Sequence, residues 1–239
     1  MQWCRVVSNS GGLDIYALAE DMLDIHEVTP ILNEYYFETL KDLKFRTLLD
    51  VGCGSGGFLK ELSFQYPHIE TMGIDLSSVM VKNSKAKGIN AHCIDLCKVK
   101  QKFDVITAIF DMVNYLDEKQ LKRFLGCIEK RLEKGGYFIC DINTLYAFKV
   151  VASGSFIKDV GNRFLTIDSD YIEEEGTYYM DFTLFEEKDG CFKKMQDSIT
   201  QYYHKVEKLK KLMKMKLVVK TPIAIYGHET EKFYLVFQK

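Results

Sequence analysis

The chain has 239 residues, of which 47% are hydrophobic and 28% are charged, and its net charge at pH 7 is −2. This length fits one large α/β domain, or a core domain with a subdomain. A charge so close to zero gives no reason to expect a broad nucleic-acid-binding surface, although it leaves room for a local basic patch. No apolar run reaches the roughly 18 residues of a membrane span, and the first residues lack a signal-peptide segment. We therefore expect a cytoplasmic protein.

The seven cysteines and five histidines are scattered along the chain rather than grouped. No two cysteines have the C-x-x-C spacing, and no two histidines the H-x-x-x-H spacing, of common metal sites. An odd number of scattered cysteines, several of them in apolar runs, is typical of reduced, buried thiols. We therefore expect free thiols and no bound metal.

The first 145 residues contain helices followed by an alternation of strands and helices. Residues 1–45 are predicted to be helical, because apolar residues recur at helical spacing in 14–25 and 31–43. The patterns that follow predict strands at 47–51, 71–75, 90–96, 103–110 and 136–142, with helices at 57–66, 78–87 and 117–134. Strand, helix and strand repeated in this way favour a parallel sheet with helices on both faces.

The pattern changes after Asn143. From about Phe156 to Tyr203 the chain is aromatic and alternating, which predicts three or four antiparallel strands with turns at 173–176 and 187–190. A helix at 205–216 and strands at 217–227 and 231–239 are predicted after it. Because strand and helix patterns lie on both sides, we expect one domain. Its parts are a helical segment (1–45), a core (46–150), a cap insertion (151–204) and a C-terminal part (205–239).

A glycine-rich motif, "LLDVGCGSGGF" at 48–58, follows the first predicted strand. Gly52, Gly54 and Gly57 have the G-x-G-x-x-G spacing of a dinucleotide-binding turn, and Gly56 also completes G-x-G-x-G. Glycines at this place allow the backbone to approach a ligand that a Cβ atom would block. The spacing alone fits NAD, FAD and S-adenosylmethionine equally well.

Aspartates at the ends of three successive predicted strands separate these cofactors. Asp50, just before Gly52, would repel a pyrophosphate but suits the sulfonium and ammonium groups of S-adenosylmethionine. Asp75 lies roughly 20 residues after the glycines, where an acid meets ribose hydroxyls, and fits any adenosine cofactor. Asp95 ends the third strand, where an acceptor can meet the exocyclic amine of adenine. Together the three acids favour S-adenosylmethionine.

These motifs together resemble the series found in the class I S-adenosylmethionine-dependent methyltransferases. The segments that carry the resemblance are 48–59, 73–77, 93–96, 103–116 and 132–143. The resemblance is close over residues 46–143 and extends to the whole chain by element order. Within that superfamily the chain is most similar to the small-molecule type, with D-x-x-N-Y-L after strand four, D-I-N-T after strand five and an antiparallel cap. The N-methyltransferases of nucleotide-linked amino sugars are similar in having such a cap.

The resemblance implies a fold, a cofactor and a set of cofactor-binding residues. The implied fold is α/β, a doubly wound, mostly parallel seven-stranded sheet with its last strand antiparallel, plus a small antiparallel β cap inserted after strand five. The implied cofactor is S-adenosylmethionine. The implied contacts are Asp50, Gly52, Cys53, Gly54 and Tyr16 at the methionine part, Asp75 at the ribose, Leu76, Asp95 and Leu96 at the adenine, and Phe110 behind the sulfonium.

The acceptor is expected to meet Asp111, Asn114, Tyr115 and Asn143, because the ends of strands four and five face the transferred methyl group. Asp111 and Asn114 equally suit capping of the turn before the next helix, and Tyr115 suits packing. No nucleophile–base set is visible, so the catalytic residue is unknown. The missing base favours a nitrogen acceptor, or catalysis by proximity.

Other residues in and after the cap allow two interpretations each. His204, a lone histidine among tyrosines, is expected to be a surface or packing residue rather than a base. Aromatic residues of the cap either roof an acceptor pocket or bury one face of the sheet: Phe164, Tyr171, Tyr178, Tyr179, Phe182, Phe185, Tyr202 and Tyr203. The lysines of 205–216 indicate either a nucleic-acid contact or the solvated face of an amphipathic helix, and we favour the second.

The predicted function is methyl transfer from S-adenosylmethionine to a small molecule, with nitrogen as the favoured atom. A cap over the crevice makes a small, enclosed acceptor the expected partner, with no membrane or nucleic acid. One alternative is a protein that binds S-adenosylmethionine or S-adenosylhomocysteine without catalysis. Less favoured are an NAD-dependent oxidoreductase, which rests on the glycine spacing alone, and a tRNA methyltransferase. The sequence leaves the oligomeric state open.

Overall fold

The computed structural model describes residues 12–23 and 28–239. Within the predicted helical segment, the described part forms helix α1 (Leu13–Ala19), a 3₁₀ turn (Glu20–Met22) and helix α2 (Thr29–Lys41). The helical prediction for this segment is therefore confirmed where the chain is described. The end of the predicted helix 14–25 and Cys4 lie outside the described residues.

The remaining helices and strands alternate as the sequence predicts. In chain order they are β1 (Thr47–Val51), α3 (Gly57–Gln65), β2 (Glu70–Asp75), α4 (Ser78–Ala86), β3 (Ala91–Cys93), β4 (Phe103–Ala108), α5 (Glu118–Arg131), β5 (Leu132–Asn143), β6 (Gly154–Asp159), β7 (Arg163–Ile172), β8 (Thr177–Lys188), β9 (Cys191–Tyr202), α6 (Val206–Leu212), β10 (Lys216–Ile223) and β11 (Lys232–Gln238). Short 3₁₀ turns follow β3 (Leu96–Lys98) and β4 (Met112–Tyr115), and a π-helical turn (Ala147–Val151) follows β5.

Seven strands form the central sheet, in the order β10-β11-β5-β4-β1-β2-β3. The pairs β1–β2, β2–β3, β1–β4 and β4–β5 are parallel, whereas β11 runs antiparallel to both β5 and β10. The predicted doubly wound sheet with an antiparallel last strand is therefore confirmed. From β1 the chain adds β2 and β3 on one side of the sheet and then β4 and β5 on the other, so the strand order reverses beside β1. In open α/β sheets the ligand crevice lies at such a point, outside the carboxyl ends of the strands.

The sheet is covered by helices on both faces because its strands are apolar on both faces. Neighbouring residues of β1 show this, since Leu48 and Leu49 are both fully buried but belong to opposite core clusters. One cluster includes residues of α5 and α6, and the other includes residues of α2, α3 and α4. The two packed faces hold β1 rigidly and thereby fix the loop that follows it.

Strands β6 to β9 form a separate four-stranded antiparallel sheet, which is the predicted cap. The predicted turns lie at its hairpins, where Gly176 and Gly190 have positive φ values of 64° and 75°. The apolar face of the cap packs against α1, with Phe182 and Ile199 almost fully buried there. Tyr178 is also buried, and its hydroxyl donates to Ala152 O at 2.7 Å. These rings support the sheet-burying role of the cap aromatics.

Several predicted boundaries were wrong, including those of the third strand and of two helices. The third strand ends at Cys93 rather than 96, because the Asp95 carboxylate accepts the Cys97 N–H at 2.8 Å and begins a 3₁₀ turn. Helix α5 starts with the predicted cap but ends at Arg131, because Leu132 already pairs with β4. Helix α6 ends at Leu212, one turn early.

No helix in the described part of the chain is both long and apolar enough to cross a membrane.

The expectation of free, buried thiols was also wrong for four cysteines. Cys97 and Cys127 form a disulfide, although 30 positions separate them in sequence. Cys97 lies in the 3₁₀ turn after β3 and Cys127 on α5, so the fold rather than the spacing brings them together. Cys93 and Cys191 are exposed free thiols.

Candidate functional site

The glycine loop (residues 52–56) lies at the switch point and has a conformation that favours glycine. Gly52, Gly54 and Gly56 all have φ values between 53° and 79°. A Cβ atom at Gly52 would lie only 2.6 Å from Met112 Cγ, which would force the two segments apart. A Cβ atom at Gly54 would meet nothing within 4 Å. The loop is therefore closed on the protein side and open beside Gly54, where a ligand can approach.

Three consecutive N–H groups of the glycine loop, those of Gly52, Cys53 and Gly54, are already hydrogen-bonded within the protein. Gly52 and Cys53 both donate to Ile74 O, at 2.8 and 3.0 Å, and Gly54 donates to Asp75 Oδ2 at 3.0 Å. A pyrophosphate needs free N–H donors at such a turn. The carboxylates of Asp50 and Asp75 flank these bonded donors, and carboxylates suit a cation. The loop therefore fits the ammonium of a methionine moiety better than the pyrophosphate of NAD.

Asp50 adds an unsatisfied oxygen to this side of the crevice. Its side chain is fully buried, and Oδ1 accepts the Thr107 hydroxyl at 2.7 Å. Oδ2 has no hydrogen-bond donor among the described residues. Burial raises the pKa of Asp50 to about 7, with Thr107 opposing the rise and Asp75 adding to it. A buried carboxylate oxygen without a donor is stabilised by a cation, which is the property a bound ammonium requires.

Asp75 and Leu76 lie at the end of β2, next to the glycine loop. Asp75 Oδ1 accepts the Ser77 N–H at 2.8 Å, while Oδ2 holds Gly54, so the carboxylate is fixed between two loops. Burial raises the pKa of Asp75, and the backbone donors oppose this. Leu76 beside it is 64% exposed. A fixed carboxylate next to an exposed apolar side chain matches the needs of a ribose and an adenine ring.

Two other predicted cofactor contacts point into the core, and a third is engaged elsewhere. Leu96 is 5% exposed and packs in the core cluster that includes α5. Cys53 is 7% exposed, and its Sγ lies against Gly73 of β2. Asp95 Oδ1 accepts both the Cys97 N–H and Arg123 Nη2, the latter at 3.0 Å. The structure thus brings Asp50, Asp75 and the glycines to one crevice, while the side chains of Leu96 and Cys53 turn away from it.

A strained turn follows β4, on the other side of the switch point. Phe110 and Asp111 have φ values of 60° and 50°, which non-glycine residues rarely adopt. Both N–H groups donate to the carboxylate of Asp141, at 2.8 and 2.9 Å. Asp141 is fully buried and also accepts the Tyr36 hydroxyl at 2.7 Å. Asp141 therefore holds two consecutive strained residues in place, a feature that concentrates at functional sites.

Lys232, the first residue of β11, lies at the centre of a polar cluster beside this turn. Its Nζ donates to Asp111 Oδ1 at 2.6 Å, Asp141 Oδ2 at 3.0 Å and Asn143 Oδ1 at 2.7 Å. Gln201 of the cap donates to Asp111 Oδ2 at 2.6 Å. We call these five residues the Lys232 cluster. With two carboxylates and one ammonium, it carries one net negative charge.

The other predicted acceptor residues surround this cluster. Asn114 is fully buried, and its amide donates to Tyr202 O at 2.8 Å while accepting the Asn143 N–H at 2.9 Å. Asp111 makes no side-chain cap to its own turn. Neither the Asp111 nor the Asn114 side chain therefore caps the turn. Burial raises the pKa of both Tyr115 and Tyr16, and the nearby Asp111 adds to this, so both remain neutral phenols.

His204 packs, as expected, rather than facing the crevice. Its side chain is buried, and Nε2 donates to Leu116 O at 2.8 Å. Burial lowers the pKa of His204, which favours the neutral ring. Across the described ranges, no three histidine, cysteine, aspartate or glutamate side chains are grouped as a metal ion requires.

Sequence reasoning missed Lys232, Gln201 and Asp141 as site residues. Lys232 is the charged first residue of an otherwise apolar strand. A charge at the end of a buried strand could have indicated a site residue, because lysine is rarely buried without a partner. Gln201 shares a face of β9 with the buried Ile199, so alternation places it inward. Asp141 belongs to a recognised motif, but only the fold shows that its carboxylate holds the neighbouring turn.

Comparison with known proteins agrees with this geometry. Residues 48–136 match the methyltransferase domain family. A malonyl-[acyl-carrier protein] O-methyltransferase from Legionella pneumophila is 28% identical over 141 residues, which cover 58% of this chain and 48% of that protein. The chain spans about half the length of the curated relatives it matches.

Solved structures resemble the chain over nearly its whole length. An S-adenosylmethionine-dependent methyltransferase from Clostridium acetobutylicum is 24% identical, with a TM-score of 0.72 and 95% of this chain and 96% of that chain covered. A sugar N-methyltransferase from Streptoalloteichus is 15% identical, with a TM-score of 0.72 and 100% and 98% covered. At these identities the two structures establish the fold alone.

Proposed function

We propose that this chain, which belongs to the class I S-adenosylmethionine-dependent methyltransferases, transfers a methyl group to a nitrogen atom of a small-molecule acceptor. Membership follows from the match of residues 48–136 and from the fold. The observation that carries the proposal is the buried Asp50 oxygen without a donor among the described residues, beside a glycine loop in which the N–H groups of Gly52, Cys53 and Gly54 are already bonded. This arrangement suits a cationic ligand.

The cofactor residues have distinct roles in this proposal. Asp50 and the carbonyl groups of the glycine loop hold the ammonium of the methionine part. Asp75 binds the ribose hydroxyls, Leu76 covers the adenine and Asp95 accepts from its amine. When bound, S-adenosylmethionine supplies a methyl group on a positively charged sulfur, so the protein has only to align and desolvate the reactants and manage a proton.

The attachment of the cap supports a small acceptor. Gln201 and Tyr202, at the end of β9, are hydrogen-bonded to Asp111 and Asn114. The cap is therefore fastened to the carboxyl end of the sheet, where a macromolecule would need open access. Two of the three lysines of α6, Lys208 and Lys210, are paired with glutamates, which supports the solvated face of an amphipathic helix over a nucleic-acid surface.

The charge of the Lys232 cluster supports nitrogen as the acceptor atom. The names of the similar proteins include both O- and N-methyltransferases, so the choice must come from the chain's own groups. A net negative site attracts a protonated amine, and the Asp111 carboxylate can accept its N–H. An alcohol would need a stronger base than a carboxylate to become a nucleophile.

Two measurements test the proposal in sequence. Thermal-shift and calorimetric titrations with S-adenosylmethionine, S-adenosylhomocysteine and NAD should show binding of the first two. Stabilisation by NAD alone would reject the proposal. Release of S-adenosylhomocysteine should then be measured with acceptor pairs that differ only in an amine or a hydroxyl.

The acceptor pairs separate three outcomes. We expect turnover with the amine member of a pair, and a product heavier by one methyl group. Turnover with hydroxyl members only would reject nitrogen as the acceptor atom but keep the methyltransferase. Tight cofactor binding without turnover of any acceptor would instead support a non-catalytic binding protein.

A further inference from the structure

We propose that Asp111 is the catalytic group that accepts the acceptor's proton, and that Lys232 and Gln201 position it for this step. The proposal rests on the proposed function, because it needs a protonated amine as the acceptor. Sequence reasoning found no base, since none of the usual histidine or cysteine arrangements is present. The structure offers a carboxylate in their place.

The location of Asp111 is fixed by the strained turn. Its backbone N–H and that of Phe110 are both held by Asp141. Because Asp141 lies on β5 and is fully buried, the turn cannot relax without breaking a core contact. The Asp111 side chain is 15% exposed, so it remains reachable while its backbone is held. Backbone strain that is maintained in this way presents one side chain at a set position.

The two oxygens of Asp111 have different partners. Oδ1 accepts from the charged Lys232, whereas Oδ2 accepts from the neutral amide of Gln201. A hydrogen bond from a cation withdraws more charge than one from an amide. Oδ2 is therefore the more basic oxygen, and it faces the cap side of the crevice.

The groups around Asp111 oppose each other in their effect on its proton affinity. Those that face it are Lys232 on β11, Asp141 on β5, Gln201 on β9, Tyr178 on β8, Tyr16 on α1 and Tyr115 in the turn after β4. Burial raises the pKa of Asp111, Lys232 lowers it, and Asp141 raises it again. A base needs this balance, because it must be ionised before the step and able to hold a proton after it.

The proton balance of the step is simple. The protonated amine donates one proton to Asp111 Oδ2, which leaves a neutral amine with a free electron pair and a neutral carboxyl. The electron pair of the amine nitrogen could then form the bond to the methyl carbon while the carbon–sulfur bond of the cofactor breaks. The broken bond's electron pair would stay on sulfur, which gives the neutral thioether of S-adenosylhomocysteine, and the positive charge would pass to the methylated nitrogen. Asp111 afterwards returns its proton to water through its exposed edge.

Lys232 acts through Asp111 rather than on the acceptor. All three N–H bonds of its ammonium are donated, to Asp111, Asp141 and Asn143, and its side chain is 9% exposed. It has no donor left for a substrate. Lys232 is therefore a positioning residue, whose removal should act on the protonation of Asp111.

The test measures the protonation of Asp111 directly, without an acceptor. Protein labelled with ¹³C at aspartate carboxyls is titrated in its S-adenosylhomocysteine complex, and Asp111→Asn assigns the signal. In Lys232→Met the Asp111 midpoint should rise by about one to three pH units, because a close cation is lost. In Gln201→Met, which keeps the ion pairs, it should rise by a smaller amount. Lys220→Met, an exposed lysine on the neighbouring strand β10, is the matched control and should leave the midpoint unchanged.

Turnover then connects this midpoint to the reaction. With an amine acceptor from the screen above, the acidic limb of the kcat/KM profile should move upward in each variant by as much as the Asp111 midpoint. Activity lost by Lys232→Met at pH 7 should return at higher pH, and Lys232→Arg should restore it in part. A midpoint that stays the same in both Lys232→Met and Gln201→Met would overturn the proposal, as would an acidic limb that does not follow it. If Lys232→Met does not fold, Gln201→Met decides the question.

The two proposals fail in different ways. If the wild-type protein transfers no methyl group to any acceptor, the proposed function fails and the catalytic role of Asp111 fails with it. If an amine acceptor is methylated but Asp111→Asn retains full activity, only the role of Asp111 fails.

Discussion

The two sides of the crevice differ in how completely their polar groups are satisfied. On the β1–β2 side, Asp50 Oδ2 is buried, and no donor reaches it from the part of the chain that the structure describes. On the β4–β5 side, all three N–H bonds of Lys232 and both oxygens of Asp111 are hydrogen-bonded. The first side needs a positively charged ligand to complete it, whereas the second is assembled in advance. We infer that cofactor binding stabilises the cofactor side. The acceptor side is already held by its own hydrogen bonds, so it positions the acceptor that binds there.

The largest expected effect lies on the assembled side. Asp111→Asn should reduce turnover of an amine acceptor by about 10²- to 10⁴-fold, the usual contribution of a base. Its affinity for S-adenosylhomocysteine should remain that of the wild type, because Asp111 contacts the cluster and not the glycine loop. Kinetics and calorimetry on the same preparation measure both values.

Asp104→Asn is the matched control for that variant. Asp104 lies at the opposite end of β4, where its carboxylate accepts the N–H groups of Arg46 and Thr47 at 2.8 and 3.1 Å. It should leave turnover unchanged. A loss of cofactor affinity in Asp111→Asn comparable to its loss of turnover would mean that the two sides are not separate.

The next largest effect lies on the cofactor side. Asp75→Ala should weaken binding of S-adenosylhomocysteine by about 10- to 100-fold, the cost of losing hydrogen bonds to a charged group. Asp104→Ala is the matched control. It also removes a carboxylate that accepts two backbone N–H groups, but Asp104 lies away from the crevice. Comparing the two variants therefore distinguishes the loss of a ligand contact from the loss of support for the backbone. Equal affinities for these two variants in calorimetry would show that Asp75 does not meet the ribose.

A smaller effect is the pH dependence that Asp50 gives to cofactor binding. Its folded-state pKa of about 7 lies above the usual carboxyl value, so the ligand-free protein loses stability as the pH rises from about 4 to 7. A bound ammonium instead favours the carboxylate. Affinity for S-adenosylhomocysteine should therefore fall below pH 7, by up to about tenfold per pH unit.

Asp50→Asn provides the comparison for this prediction. It should bind the ligand weakly and with little change between pH 7 and 5.5, where the ligand's amino group stays charged. Its ligand-free form should melt at a higher temperature than the wild type at pH 8, because no charge is buried. A wild-type affinity that is constant over this range in calorimetric titrations would show that Asp50 does not face the ammonium.

The two sides of the crevice also differ in how far they could be predicted from the sequence. The β1–β2 side was largely predictable, because Asp50, the glycines and Asp75 lie within one strand–helix–strand unit whose periodicity is local. The partners of Asp111 were not, since Lys232 is 121 positions away in sequence and Gln201 is 90. Their meeting depends on β11 lying next to β5, and on the cap folding back over the sheet. Leu96 was assigned to the adenine from its motif position, whereas its apolar side chain is better stabilised in the core.

The smallest expected effect concerns the segment after β3. This segment lies at the cofactor crevice, but, like the acceptor side, it is already held in place by contacts within the protein. Three residues of α5, each one helical turn apart, hold it. Arg123 pairs with Asp95, Cys127 is bonded to Cys97, and Arg131 Nη1 donates to Lys100 O at 2.9 Å. These contacts set the position of Asp95, the proposed adenine contact.

Replacing both bonded cysteines by alanine should therefore weaken S-adenosylhomocysteine binding by only about threefold, since two of the three contacts remain. The melting temperature of the ligand-free protein should fall at the same time, because the unfolded chain is no longer cross-linked. Cys191→Ala, at an exposed free thiol in the β8–β9 hairpin, is the control and should change neither. Adding Arg123→Ala to the double variant should weaken binding further if α5 holds Asp95 in place. An affinity equal to that of the wild type in all of these variants would place the adenine elsewhere in the crevice.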